Sequence, residues 1–459
     1  MASRSLRRFG CLLWALGLSA RVARCQASAD TTSSSGLTVL TGTKTGESET
    51  TSEAKTPTGS YQTFSTTITL ATTSLSSALE TTIAANGTVS TSTVAPPEQT
   101  VTYLTGSIPT SSPAVGSVST TVESPAPKPT NTRPCNNYPE FCERKYSNIT
   151  VVGCHNSPFV RPGSAAANQQ YTVVDQLNDG VRFLQAQIQW PKNGSVPHFC
   201  HTTCDLFDAG PITDWLTTVK DWVAGHPYDV VTILLGNGNY STPAHYVPFI
   251  ESTGLLQYVY TPPVVPMSVD SWPTLASMIL SGQRVVMFLD YMADQKAYPW
   301  LMDEFSQMWE TPFDPTNQTF PCTVQRPPDL APADARKRLY LMNHNLNVEV
   351  SLLGASVLVP AVSQLNQTNN ATGYGSLGAA AAGCDADWGR PPTVLNVDYY
   401  NFGGFPGSVF EVAARMNNVT YDRPCCGKSS AAARVPAAAV SPLLWGASLA
   451  WAAVFWATI

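Results

Sequence analysis

The chain has 459 residues, and at about 150 residues per domain that length predicts about three domains. Only 13% of the residues are charged, about half the share of an ordinary soluble domain, so long stretches cannot be ordinary folded surface. With 26 basic against 32 acidic side chains and a net charge of −6, no basic field exists to neutralise a run of phosphates; this excludes nucleic acid as a partner and disfavours anionic membrane surfaces.

Arg4, Arg7 and Arg8 precede an apolar run from Phe9 to Ala20, with small residues at Ala23, Cys25, Ala27 and Ala29. This is the layout of a secretory signal peptide over residues 1–25, too short for a membrane span. An oxidising compartment follows, in which cysteines become disulfide candidates. Residues 26–134 read as a stalk. Between Thr31 and Thr130 Ser and Thr make up 46 of 100 residues with no sustained apolar periodicity, too little to offset chain entropy, which predicts a disordered, O-glycosylated segment. The close at Ser124-Pro-Ala-Pro-Lys-Pro129 stiffens its exit.

From Cys135 to Cys426 the composition is that of one folded domain. Short β-rich runs occur at Ile149–Val152, Arg182–Trp190, Val230–Leu235, Arg284–Tyr291, Leu339–Met342 and Val394–Tyr400. Helical spacing lies between several of them: Val173, Val174, Leu177; Ile212, Trp215, Leu216, Val219, Val223; Leu275, Met278, Ile279. Strands alternating with helices predict a parallel sheet, and the doubly buried Val-Val-Thr-Ile-Leu-Leu type of strand suits a TIM-type (β/α) barrel. An open doubly wound sheet is the alternative; no glycine-rich phosphate loop follows any strand to support a nucleotide-binding form of it.

Removing Cys11 and Cys25 with the leader leaves nine cysteines, so one is unpaired. Cys135 with Cys142 reads as a local bridge and Cys322 with Cys384 as a long-range one; spacing does not pair the rest. Cys200-His201-Thr-Thr-Cys204 has no second Cys or His pair at zinc spacing, so a disulfide is preferred to a metal. Eight sequons, at Asn86, Asn148, Asn193, Asn239, Asn317, Asn366, Asn370 and Asn418, predict a glycoprotein. After Arg434 the chain carries 25 uncharged residues. No basic stop signal follows, so residues 427–459 read as a GPI-attachment signal, with Ser429 a candidate site and a spanning helix the alternative.

Two histidines close apolar runs: His155 after Ile149-Thr-Val-Val-Gly-Cys154, and His201 after Val196-Pro-His-Phe-Cys200, the first and third strand segments. Polar residues at strand ends face the mouth of a β/α barrel. A pair of imidazoles there supplies the general base and general acid needed to cleave a phosphodiester by attack of a neighbouring hydroxyl. Asp398, at the end of the last strand, is a candidate to orient one of them; Asp290 and Asn343 also end strands and are candidate contacts for sugar hydroxyls. Trp190 and Trp388 are candidates to line the mouth, and His198, His226 and His245 read as structural.

The segment Val152-Gly-Cys-His155-Asn156-Ser157, then Gly180-Val-Arg182-Phe-Leu-Gln185-Ala-Gln187, His198-Phe-Cys-His201, Val230-Val-Thr-Ile-Leu-Leu-Gly236-Asn237 and Val285-Val-Met-Phe-Leu-Asp290-Tyr291 resembles the phosphatidylinositol-specific phospholipase C superfamily, most closely its secreted fungal branch. The resemblance covers roughly Cys135 to Arg423 and lies in the order and spacing of the motifs. It implies a TIM barrel in which His155 is the base toward an inositol 2-hydroxyl and His201 the acid. It places Asn156 where metal-dependent members hold a calcium ligand. Gln185, Gln187 and Gly236 stand where those members have carboxylates, and Gln187 where metal-free members have an arginine. Amide donors bind calcium weakly, so no cofactor is expected. Arg182, Lys192 and Arg390 are the cations considered as substitutes.

The reading is thus a GPI-anchored, secreted, monomeric phosphodiesterase at the cell surface. It acts on a phosphoinositide or other phosphodiester headgroup, with Asn156, Gln185, Gln187, Asp290 and Asn343 binding substrate. Two alternatives stand beside it: a catalytically weak barrel that binds headgroups or cell-wall glycans, and an adhesin for which the barrel is scaffold.

Overall fold

In this computed structural model the described residues are 61–70 and 134–426, apart from 353, 354, 405 and 406, together with short strands at Ser33–Ser34, Leu37–Thr38, Leu79–Ile83 and Val89–Thr93. The leader at 1–25, the tail at 427–459 and the sequon at Asn86 lie outside them. So does most of the stalk.

Eight strands form one curled parallel sheet: β1 (Val151–Cys154), β2 (Phe183–Gln189), β5 (Val231–Asn237), β6 (Val285–Leu289), β7 (Leu301–Asp303), β8 (Met308–Glu310), β9 (Leu339–Asn343) and β12 (Val394–Val397). Their spatial order is β7-β6-β5-β2-β1-β12-β9-β8. That is chain order around a barrel, with the last strand paired in parallel to the first through Val394–Val397 on Val151–Cys154. Among the described residues no ladder joins β7 to β8, which are separated only by the turn Glu304–Gln307, so the barrel is open along that seam. The TIM-type expectation holds, with this opening added to it.

Two antiparallel hairpins interrupt the barrel order. β3 (His198–His201) pairs with β2 and with β4 (Phe207–Pro211), and β10 (Asn347–Leu352) pairs with β11 (Ala355–Pro360). His201 therefore does not end a third barrel strand, as its apolar run suggested; it sits on a hairpin grown from the end of β2.

The principal helices are α1 (Val173–Asp179), α2 (Ile212–Gly225), α3 (Val247–Ser252), α4 (Leu275–Leu280), α5 (Leu377–Trp388) and α6 (Ser408–Met416). Thr172 caps α1 by accepting from the Asp175 amide, and Gly180 ends it at φ 119°, a left-handed conformation that costs a side chain dearly. Ile212, Leu216, Val219 and Val223 of α2 are buried on one stripe, joining outward-facing Leu184, Ala186, Ile188, Ile233 and Leu235 in the layer between sheet and helices.

Strand alternation sends the other face inward. Phe183, Leu234, Val286, Phe288, Met302, Met308, Leu339, Leu341 and Val394 fill the interior with Trp272 and Met278. Followed toward the carboxyl end, each inward row turns polar: Phe183, Gln185, Gln187; Phe288, Asp290; Met308, Glu310; Leu341, Asn343; Val394, Asn396, Asp398; Val151, Gly153, His155. A Cβ on Gly153 would stand 2.8 Å from the Val394 side chain, so this inward position admits only glycine. An apolar plug thus supports a polar mouth.

Candidate active site

His155 follows β1 and is buried at 4% exposure. Its Nδ1–H donates to the Asp398 carboxylate at 2.8 Å, which leaves the Nε2 lone pair to accept from the Asn156 amide at 3.2 Å. The same Asp398 oxygen accepts from Asn168 at 2.9 Å. Gln169 donates to the carbonyls of His155 and Val397, tying the ends of β1 and β12 together. Burial opposes a charge on His155, but the Asp398 carboxylate outweighs it and holds the imidazole above its ordinary pKa. Asp398 is 1% exposed and its second oxygen has no partner among the described residues.

His201 lies inside a five-residue loop closed by the Cys200–Cys204 disulfide. The disulfide preferred for this stretch is present, and it fixes the backbone on both sides of the imidazole. Phe159 packs edge-on against the ring, centroids 5.2 Å apart, and Nδ1 meets the Thr202 hydroxyl at 3.1 Å. Burial, with the positive field of His155 added, pushes the His201 pKa down to about 4.

Below the histidines an amide and carboxylate layer spans the barrel. Asn396 donates to Gln185 at 2.8 Å and to the Asn343 carbonyl oxygen at 3.2 Å, and Asn343 donates to Glu310 at 3.2 Å. Glu310 accepts from Arg326 at 2.9 Å. Asp290 accepts from the backbone amides of Asn237 and Tyr291, each at 2.7 Å, with Arg326 at 3.5 Å. Gln185, Asn343 and Asp290 are therefore committed to the protein. Gln187, half-buried beside Gly236, has no hydrogen-bond partner among the described residues and is the amide left open at the mouth.

The cations weighed as substitutes are elsewhere. Arg182 binds Asp229 and the carbonyls of Leu177 and Val181 at the amino end of β2; Lys192 pairs on the surface with Asp205; Arg390 reaches the Arg338 carbonyl and the Tyr340 ring. Trp388 packs on Trp309 at the end of α5, away from the mouth, while Trp190 stacks on Tyr246. His198 pairs with Asp208 across the hairpin, and His226 stacks on Trp222.

Residues that pattern reading passed over complete the site. Asn168 and Gln169 belong to a polar Asn-Gln-Gln run in the loop after β1, a weak signal. Arg326 is a buried cation in the stretch after β8, within 4.7 Å of the Phe305 and Phe313 ring centres and 5.4 Å of Tyr291. Asp314, also after β8, is raised by burial to about 6 and feels both His155 and Arg326. The expected pairs Cys135–Cys142 and Cys322–Cys384 are formed, and among the described residues Cys154 is a buried free thiol.

The profile of the family described as PI-PLC X matches residues 141–417. A PI-PLC X domain-containing protein of Arthroderma benhamiae is 38% identical over 62% of this chain and 90% of its own length. An uncharacterised secreted protein of the same organism is 52% identical over 69% of this chain and 72% of its own. Among solved structures, the phosphatidylinositol-specific phospholipase C of Listeria monocytogenes aligns over 60% of this chain and 94% of its own, with a TM-score of 0.40 and 12% identity. By the extent of the profile match and the identity to these relatives, the chain belongs to the PI-PLC X family.

Proposed function

We propose that this protein is a secreted phosphodiesterase of the phospholipase C type, acting on an inositol-phosphate or glycerophosphodiester headgroup through His155 and His201. The observation that carries the reading is the buried Asp398–His155 pair, with Nδ1 against the carboxylate, beside a second imidazole held in a disulfide loop. In the reaction Nε2 of His155 takes the proton of a hydroxyl adjacent to the phosphate, and the alkoxide attacks phosphorus. The leaving oxygen takes a proton from His201, giving a cyclic phosphate and an alcohol. Asp398 stabilises the imidazolium formed on His155.

The same electrostatics make it slow. Catalysis in this sense needs His155 neutral and His201 protonated. Asp398 favours a proton on His155, while burial and the charge of His155 disfavour one on His201, so the productive combination is the minor one. Calcium does not fit the donor set: the carboxylates of Glu310 and Asp290 are tied to Arg326, and that of Asp398 to His155. The proposed reaction is therefore metal-independent.

The leader, the secreted relative and the uncharged tail support export followed by lipid anchoring at the cell surface. Tyr240, Met292 and Tyr374, in loops beyond the carboxyl ends of β5, β6 and β9, are 43%, 37% and 68% exposed. This apolar rim suits a lipid surface better than the net charge does. A second reading, a headgroup- or glycan-binding barrel with lost turnover, is favoured by the low population of the productive protonation state.

The deciding measurement is release of cyclic inositol phosphate by purified protein with and without chelator. We expect slow turnover that survives chelation and falls at least about 100-fold in His155→Ala and in His201→Ala. Activity equal in wild type and both variants rejects the assignment; no activity in any, with headgroup binding retained, selects the second reading.

A further inference from the structure

Ten residues of the Ser/Thr-rich segment pack on the barrel. Tyr61 meets Tyr291 and Phe305 edge-on at centroid distances of 5.6 and 4.9 Å, and its hydroxyl lies 3.3 Å from that of Tyr291. The Gln62 amide donates to the Ala293 carbonyl. Ile68–Thr69 pairs antiparallel with Val264–Val265, and the amide of Leu70, itself 7% exposed, donates to Pro263 at 2.9 Å. The contacts therefore reach the loop after β6, the turn joining β7 to β8 and the strand-like stretch before α4. The first lies on the β6–β7 side of the open seam, and the second is the turn that bridges it.

Tyr61 also completes a shell. Tyr291 and Phe305, on which it packs, are two of the three rings around the Arg326 guanidinium, and Arg326 donates to the Tyr291 hydroxyl at 3.0 Å. Arg326 in turn holds Glu310, the end of the amide layer that underlies His155. A buried cation is tolerated only while it stays paired, and the seam, with no ladder across it among the described residues, is where the walls around Arg326 can part.

We propose that residues 61–70 are an intramolecular clamp: the stalk grips the barrel beside its open seam, covers two of the rings around Arg326, and so makes the order of the seam and of the Arg326 cluster depend on whether the stalk is engaged. Ser65, Thr66, Thr67 and Thr69 remain exposed on the clamp, so a stalk bearing glycans on these outward hydroxyls can still engage.

The test is hydrogen exchange on the full-length protein for Tyr61→Ala, Tyr61→Phe and, as a more exposed control away from the seam turn, Tyr374→Ala. Tyr61→Ala should raise exchange at residues 290–293 and 301–311 at least tenfold while leaving β1 and β12 unchanged. Tyr61→Phe should keep most of the protection, because ring packing rather than the hydroxyl carries the contact. Unchanged exchange along the seam, a rise no larger than in Tyr374→Ala, or a rise spread evenly over the sheet overturns the clamp. If Tyr61→Ala is not recovered folded, Gln62→Ala is read at the same amides by the same criteria. Exchange is measured without substrate, so failure of the catalytic reading leaves this result interpretable. If both hold, Tyr61→Ala also lowers turnover.

Discussion

At the scale of single residues the centre rests on one carboxylate. Asp398 accepts from His155 and Asn168, fixes the tautomer of His155 and raises its pKa. The pair stabilises the fold most below pH about 6.5, where the unfolded imidazole is also charged, and that contribution is lost as pH rises through the higher folded pKa. Activity runs the other way, since the base must be neutral, so the acid limb of the rate profile follows the raised pKa of His155. In Asp398→Asn the largest influences that raise the ring's pKa are lost, burial then outweighs what Asp314 and Glu310 add, and the pKa falls. The acid limb should move to lower pH while the maximal rate drops by about 10²- to 10⁴-fold, as when a triad aspartate is replaced; a pH–rate profile of both proteins checks this. His155, His201 and Asp398 were legible because each ends an apolar run. Asn168 was not, because a loop asparagine carries no periodicity, and its position against Asp398 exists only once β1 and β12 lie side by side.

At the scale of elements, the hairpin β3–β4 and the Cys200–Cys204 loop place His201. The disulfide closes a short ring around a residue whose neighbour Thr202 sits at φ 58°, so the crosslink holds a local conformation more than it adds global stability. Replacing both cysteines by serine should lower turnover about tenfold or more while shifting the melting temperature by only a few degrees, read by paired activity and melting curves. Six of the eight barrel strands announced themselves as apolar runs. β7 and β8 did not: three residues each, in Leu-Met-Asp and Met-Trp-Glu, they are too short to show a period, and no turn residue separates them. Their brevity is also why the seam is open.

At the scale of the whole molecule the seam gathers Glu304, Glu310 and Asp290 around Arg326. Burial holds the Glu304 carboxyl well above its usual range, with the nearby Glu310 charge adding to it, so Arg326 serves chiefly Glu310. Arg326→Ala strands Glu310 in the interior and should cost about 3–5 kcal/mol. Replacing Arg326 by Met together with Glu310 by Leu should recover part of that, and denaturant titration of the two proteins measures the difference. The low charge fraction, the 46 Ser and Thr in 100 residues and the inward rows turning polar at strand ends were all set by the sequence, because composition and period-2 alternation are local properties. Tertiary structure alone decided which barrel-mouth amides stay open, that Arg326 pairs with Glu310 beneath the site, and that residues 61–70 belong to the barrel. Each of these depends on residues distant in sequence meeting across the sheet, as Tyr61 meets Tyr291 over 230 positions, and no local pattern encodes such a meeting.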